Sequence, residues 1–126
     1  MAKKILLDTN FMVAPFEMSI SIFDELDRLY PVNTVYTLDD AVDEAKSIES
    51  GKYKELVPKL LESESVEILE TEGDGSVDDL LVELADEFVI ATNDRELQQR
   101  LREKDAEMVI IRSRSHLEAV NRRELK

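Results

Sequence analysis

The 126-residue sequence has no cysteine, one histidine, three glycines and three prolines. Without cysteine there is no disulfide and no thiolate chemistry, which accords with an intracellular setting. No apolar run approaches the ~18 residues needed to span a bilayer. The run after the N-terminal lysines is too short for a secretory signal, so no membrane association and a cytoplasmic location are expected. Bases are scarce: 16 Lys and Arg against 29 Asp and Glu give a net charge of −13. That argues against a sequence-independent nucleic-acid coat, which neutralises phosphates with a basic face. It leaves room for a nuclease, whose metal-binding carboxylates are themselves negative. No aromatic cluster offers a platform for base stacking. No internal repeat, low-complexity tract or domain-sized linker appears, and one domain over residues 1–126 is expected.

What is present is a soluble, highly charged composition, 43% hydrophobic and 36% charged. The charge is uneven. Residues 93–126 hold nine Lys/Arg and seven Asp/Glu, a local balance of +2, while the first 92 residues carry −15. An anionic partner is best tolerated at the C-terminal quarter; an ordinary solvated surface is the plain alternative.

The stretch that organises the chain lies near its start. Ile5-Leu6-Leu7 is a continuous apolar run that stops abruptly at Asp8-Thr9-Asn10. Such a run suits a strand buried on both faces of a parallel sheet. Ligands of open parallel α/β sheets bind outside the carboxyl ends of the strands, where Asp8 would stand. Asp8 or Asn10 could equally cap the next helix.

Downstream, Ser19 to Tyr30 has helical apolar spacing and ends before Pro31, and Pro15 breaks the apolar segment Phe11 to Phe16. Val32 to Tyr36 reads as a second strand. Thr37 reads as the N-cap of a helix running to Ser50, with Gly51 ending it. Tyr53 to Leu61 reads as a helix that Pro58 should end or kink. Val66 to Leu69 is a third strand, and residues 70–76 are the most loop-like segment. Ser76 caps a helix opened by Asp78 and Asp79. Phe88 to Ala91 is a fourth strand, followed at once by Thr92-Asn93-Asp94. Arg95 to Lys104 is a charged helix and Met108 to Ile111 a fifth strand. His116, Leu117 and Val120 suggest a short terminal helix. Strands alternating with helices imply a parallel sheet with helices on both faces.

Two strands thus end alike, in Asp8-Thr9-Asn10 and in Thr92-Asn93-Asp94. If they are neighbours, Asp8 and Asp94 face one crevice, since adjacent strands lie roughly 5 Å apart. Asp78 and Asp79 open the helix leading into the fourth strand, and Glu44 lies on the helix after the second. First-turn acids also favour the helix dipole, and most helical Glu residues are simply solvated. Clustered carboxylates repel and raise one another's pKa values. A divalent cation relieves that repulsion, and oxygen-only ligands suit Mg²⁺ or Mn²⁺ rather than zinc. Such a site suits phosphoryl chemistry.

The pattern resembles the PIN-domain nucleases. Asp8-Thr9-Asn10, Glu44, Asp78-Asp79 and Ala91-Thr92-Asn93-Asp94 carry the likeness, which extends from Ile5 to about Leu117. Its most specific piece is Ile90 to Leu97, then a charged helix, then Val109 to Arg114, and it looks closer to the archaeal and eukaryotic ribosome-processing branch than to the toxin branch. The resemblance implies a three-layer α/β/α fold around a parallel five-stranded sheet of order 3-2-1-4-5. It implies a Mg²⁺- or Mn²⁺-dependent endoribonuclease, with a role in rRNA processing. Asp8, Glu44 and Asp94 match the metal-binding acids. Asp79 is the favoured further acid, with Asp78 one step away. Thr9, Asn10, Thr92 and Asn93 would orient ligands or waters. One departure is Ala45-Lys46 after Glu44, where an apolar residue such as Leu is common.

Other classes fit less well. A receiver domain needs a lysine after its fifth strand, and this chain offers Arg112-Ser113-Arg114. A dehalogenase-type phosphatase needs a second Asp two residues after Asp8 and finds Asn10. A PIN fold acting only as an RNA-binding or assembly scaffold is a third reading. His116 reads as packing or surface. Arg95, Arg112 and Arg114 are candidates for RNA phosphates, or for ion pairs with the many acids. Partners beyond RNA would be a second copy of the chain or a ribosome-assembly protein.

Overall fold

Ile5, Leu6 and Leu7 are fully buried and end the central strand β1, Lys3–Leu7. Successive strand residues point to opposite faces, so burial of all three means that both faces of the sheet are covered. Each such side chain contributes roughly 1.5–3 kcal/mol by leaving water. The computed structural model describes residues 2–71 and 75–120. In it, β1 pairs in parallel with β2 (Asn33–Leu38) on one side and β4 (Val89–Ala91) on the other. β3 (Glu67–Leu69) extends the sheet past β2, and β5 (Met108–Arg112) past β4. The order is β3-β2-β1-β4-β5-β6, which contains the expected parallel 3-2-1-4-5 core.

The sixth strand is a correction. β6 (His116–Val120) runs antiparallel to β5, with Ile111 opposite Leu117 and Arg112 opposite His116, where the sequence suggested a helix. Leu117 is buried at the edge of the core, and alternation rather than helical spacing places it there. Residues 121–126 lie outside the described residues.

Among the described residues six helices flank the sheet: α1 (Thr9–Met18), α2 (Ile22–Leu29), α3 (Asp39–Ser47), α4 (Leu56–Ser63), α5 (Val77–Leu84) and α6 (Arg95–Glu103). α1 touches α2 and α3, α3 touches α4, and α5 touches α6. Pro15 does not stop α1. Phe11, Met12, Val13 and Ala14 are all buried, and that packing outweighs one missing N–H. Pro58 lies in the first turn of α4, where its missing N–H costs nothing. Thr37 is not the cap of α3. It is the fifth residue of β2, and its hydroxyl donates to the Leu7 carbonyl at 2.9 Å. α3 ends at Ser47 and passes into a 3₁₀ turn, Ile48–Gly51.

Candidate active site at the carboxyl end of the sheet

Register brings the two similar strand ends together. Leu7 lies opposite Ala91, and the Asp8 N–H donates to the Ala91 carbonyl at 2.9 Å. Asp8 and Thr92 are therefore the first residues beyond two neighbouring strands. Asp8 is only 4% exposed, which is costly for a carboxylate unless its oxygens are satisfied. Its Oδ1 accepts the Thr9 N–H at 2.8 Å, and its Oδ2 accepts the Thr92 hydroxyl at 2.7 Å and the Asn10 amide at 3.3 Å. It thus caps α1 and faces the crevice at once. Burial pushes its pKa above the usual carboxylate value, with Asp94 and Glu44 adding to the rise and the Thr92 and Thr9 bonds opposing it.

Thr92 ties Asp8 to Asp94. Its buried hydroxyl donates to Asp8 and accepts the Asp94 N–H at 3.1 Å. Asp94 caps α6, and its Oδ1 accepts the Glu96 and Leu97 N–H groups at 2.9 and 3.1 Å. Asn10 bridges the strand ends, since its Oδ1 accepts the Asn93 N–H at 3.0 Å. Thr9 holds the next acid: its hydroxyl donates to Glu44 Oε2 at 2.7 Å. Thr9, Asn10, Thr92 and the Asn93 backbone therefore position carboxylates. The signal for this was the repeated Asp-Thr-Asn and Thr-Asn-Asp pattern.

The adjacent acids of α5 divide. Asp78 is partly buried, and its pKa is raised first by burial and then by Asp8, Asp94 and Glu44. It belongs electrostatically to the crevice. Asp79 points elsewhere: it is 63% exposed and its Oδ1 accepts from Arg100 at 2.8 Å. Arg100, and after it Ser76, hold its pKa below the usual carboxylate value. Asp79, favoured from the sequence, is thus placed against Arg100, while Asp78 feels the charge of Asp8. The reason is the partner on α6, Arg100, which sequence pattern did not single out.

The donors of this crevice are all oxygens, a set that suits a hard cation. Among the described residues, no three Asp, Glu or His side chains stand as a ready ligand set. Mg²⁺ needs only one or two carboxylates, with water completing its shell, so the donor chemistry fits such an ion. Arg95 opens α6 and is exposed, Arg112 ends β5 and donates to Glu118 at 2.7 Å, and Arg114 lies in the β5–β6 turn. His116 is exposed, with its Nδ1 3.0 Å from the Ser115 hydroxyl, and lies outside the crevice.

A mostly parallel sheet of this order, with carboxylates gathered beyond the central strands, defines a class of α/β proteins with an acidic crevice at a topological switch point. The family model described as "PIN like domain" matches residues 5–114. The chain belongs to the PIN-like domain family. Among solved structures, the one titled "Structure of the PIN domain endonuclease Utp24" aligns with a TM-score of 0.77 at 20% identity. The match covers 94% of this chain and 91% of that one. At that identity the likeness is one of fold. No curated protein sequence matches the chain. Among the described residues, no helix is long and apolar enough to cross a membrane.

Proposed function

We propose that the protein is a divalent-metal-dependent endoribonuclease that hydrolyses RNA phosphodiester bonds at this crevice. The observation that carries the reading is Asp8: a buried carboxylate at the centre of the sheet, held by neutral donors and surrounded by Asp94, Glu44 and Asp78. Membership of the PIN-like family supports a nuclease, and the fold shared with a PIN domain endonuclease is consistent with an RNA substrate.

In this reading one or two of Asp8, Asp94, Glu44 and Asp78 would hold the ion, either Mg²⁺ or Mn²⁺, directly and the others through water. When bound, such an ion polarises a phosphodiester and acidifies water. The chain's own part is to hold the carboxylates in place. Thr92 holds Asp8 and Asp94 in one orientation, and Thr9 holds Glu44. Asp79 is left out, its charge already met by Arg100. A role in rRNA processing is the context we favour, with activity in the cytoplasm. The test is cleavage of a single-stranded RNA with Mg²⁺ or Mn²⁺ and with excess EDTA. Cleavage that requires the metal supports the proposal; cleavage that persists in EDTA contradicts it. An assembly scaffold would bind RNA without cutting it under any metal.

A further inference from the structure

Beside the acidic crevice the surface changes sign. A groove of about 510 Å³ lies between α6 and β5, lined by Arg95, Gln98, Gln99 and Arg102 of the helix and Arg112 of the strand. Asn93, the residue before Asp94, also lines it. Among the described residues none that lines it is acidic, in a chain with 29 acidic residues. Other cations of this protein are mostly spent on ion pairs, such as Lys4 with Glu87 and Arg100 with Asp79. The Arg95 side chain has no hydrogen bond or ion pair with any described residue, and neither does that of Arg114.

Arg114 projects from the turn that follows Arg112. The Ser115 N–H donates to the Arg112 carbonyl at 3.0 Å, and Ser113 and Arg114 have φ of 53° and 54°. That is the type I′ geometry that favours Asn-Gly. An arginine stands where glycine would be less strained, at the carboxyl end of the sheet. The groove also connects to the crevice. Gln98 Nε2 donates to the Thr92 carbonyl at 3.0 Å, and the Thr92 hydroxyl donates to Asp8.

We infer that this groove binds the phosphodiester backbone of a single RNA strand and leads it into the acidic crevice, with Arg95, Arg102, Arg112 and Arg114 as phosphate contacts. The destination of the strand rests on the nuclease reading; the groove itself does not. Guanidinium groups match phosphate oxygens in charge and geometry. Arg112 shares its charge with Glu118 and contributes less than Arg95 or Arg114. The acidic remainder of the surface repels the same polyanion, which confines the strand to this wall. Contacts to phosphates carry no sequence information of their own.

The test is a fluorescence-anisotropy titration of a labelled oligouridylate with the full chain in EDTA, across a series of salt concentrations. The double variant Arg95→Gln/Arg114→Gln is compared with Lys54→Gln/Lys59→Gln, which changes net charge equally at exposed lysines away from the groove. The arginine pair should lower the log–log salt slope by about 1.4, at about 0.7 per phosphate contact on a single strand. The lysine pair should leave it unchanged. Arg114→Gly should weaken binding while raising the melting temperature, because it relieves a left-handed residue. A wild-type slope in the arginine variant, an equal fall in the lysine variant, or tighter binding of duplex than of single strand overturns the inference. Groove-dependent binding without cleavage in Mn²⁺ would sink the nuclease reading and leave the groove. Cleavage with groove-independent binding would do the reverse.

Discussion

The two ends of the sheet handle charge in opposite ways. At the amino end, the charged residues lining a cleft of about 310 Å³ are Lys3, Lys4, Lys104, Asp86, Glu87, Asp105 and Glu107. Lys3 meets Glu107, Lys4 meets Glu87 and Lys104 meets Asp86, while the Tyr30 hydroxyl also donates to Glu107. At the carboxyl end, Asp8, Asp94 and Glu44 meet hydroxyls, amides and backbone N–H groups, none of them cationic. At the first end every lysine is met by an acid; exposed pairs of that kind each contribute little. The second end gathers like charges and fixes them with neutral donors, which leaves net negative charge for a cation to neutralise. A cleft of polar residues is therefore not a site merely because it is a cleft. Uncompensated charge held in place is the more telling feature.

The largest expected effect breaks the comparison at its centre. Asp8→Asn and Asp8→Ala should both reduce RNA cleavage by at least 10²–10³-fold, on the order seen when one preorganised charge-stabilising group is lost. Lys4→Met or Glu87→Gln, at the opposite end, should leave the rate unchanged in the same assay. Were Asp8 only a helix cap, Asn would serve as well as Asp and activity would survive in Asp8→Asn.

Next comes the pair of adjacent acids on α5. Calorimetric titration with Mn²⁺ should find Asp78→Asn weakened by about tenfold or more, with Asp79→Asn close to wild type. The factor is on the scale of losses from ligand-orienting groups. Equal weakening in both would mean that α5 turns relative to α6, and that Arg100 does not keep Asp79 out of the crevice.

Thr92→Val is expected to be milder. It deletes the donor to Asp8 Oδ2 and the acceptor of the Asp94 N–H. Cleavage should fall roughly 10–100-fold, and denaturant unfolding should show a loss of roughly 1–3 kcal/mol from unsatisfied buried groups.

The smallest effect is on pH. Asp8 and Asp78 have raised pKa values in the fold, so the native state takes up their protons before the unfolded chain does. Their ionised forms oppose folding at neutral pH, and that opposition fades as pH falls through the raised values toward 3.8. Glu25, lowered to about 2 chiefly by its bond from Arg28, and Asp79, lowered by Arg100, work the other way. Their contribution is present above the usual carboxylate range and is lost as pH falls through the folded values. Without metal, Asp8→Asn should exceed wild type in stability most at neutral pH. The gap should close toward about pH 4, as followed by denaturant titration at several pH values.

Much of this was readable from the residues. The apolar run Ile5 to Leu7 stopping at Asp8, and its echo at Ala91 to Asp94, sufficed to place two carboxylates side by side, because parallel register is set by buried strands. The different placements of Asp78 and Asp79 were not readable, since that of Asp79 depends on a contact 21 positions away in sequence, from Arg100. β6 was missed for a local reason. Ser113-Arg114 carries none of the Gly or Asn that signals a tight hairpin, and Leu117 and Val120 fit helical spacing as well as a strand. Thr37 looked like a cap because Thr followed by acids caps well, yet its hydroxyl serves the Leu7 carbonyl inside the sheet.

The most direct test of the central claim is thermal melting of wild type and Asp8→Asn, each with and without Mn²⁺. At a hundred times the dissociation constant, a bound ion stabilises by about 2.7 kcal/mol, on the order of 10 °C for a chain of this size. Wild type should gain this shift, and metal-free Asp8→Asn should melt at or above wild type yet gain little from Mn²⁺. If Asp8→Asn is raised by Mn²⁺ as far as wild type, the ion binds elsewhere and the carboxyl-end crevice is not a metal site.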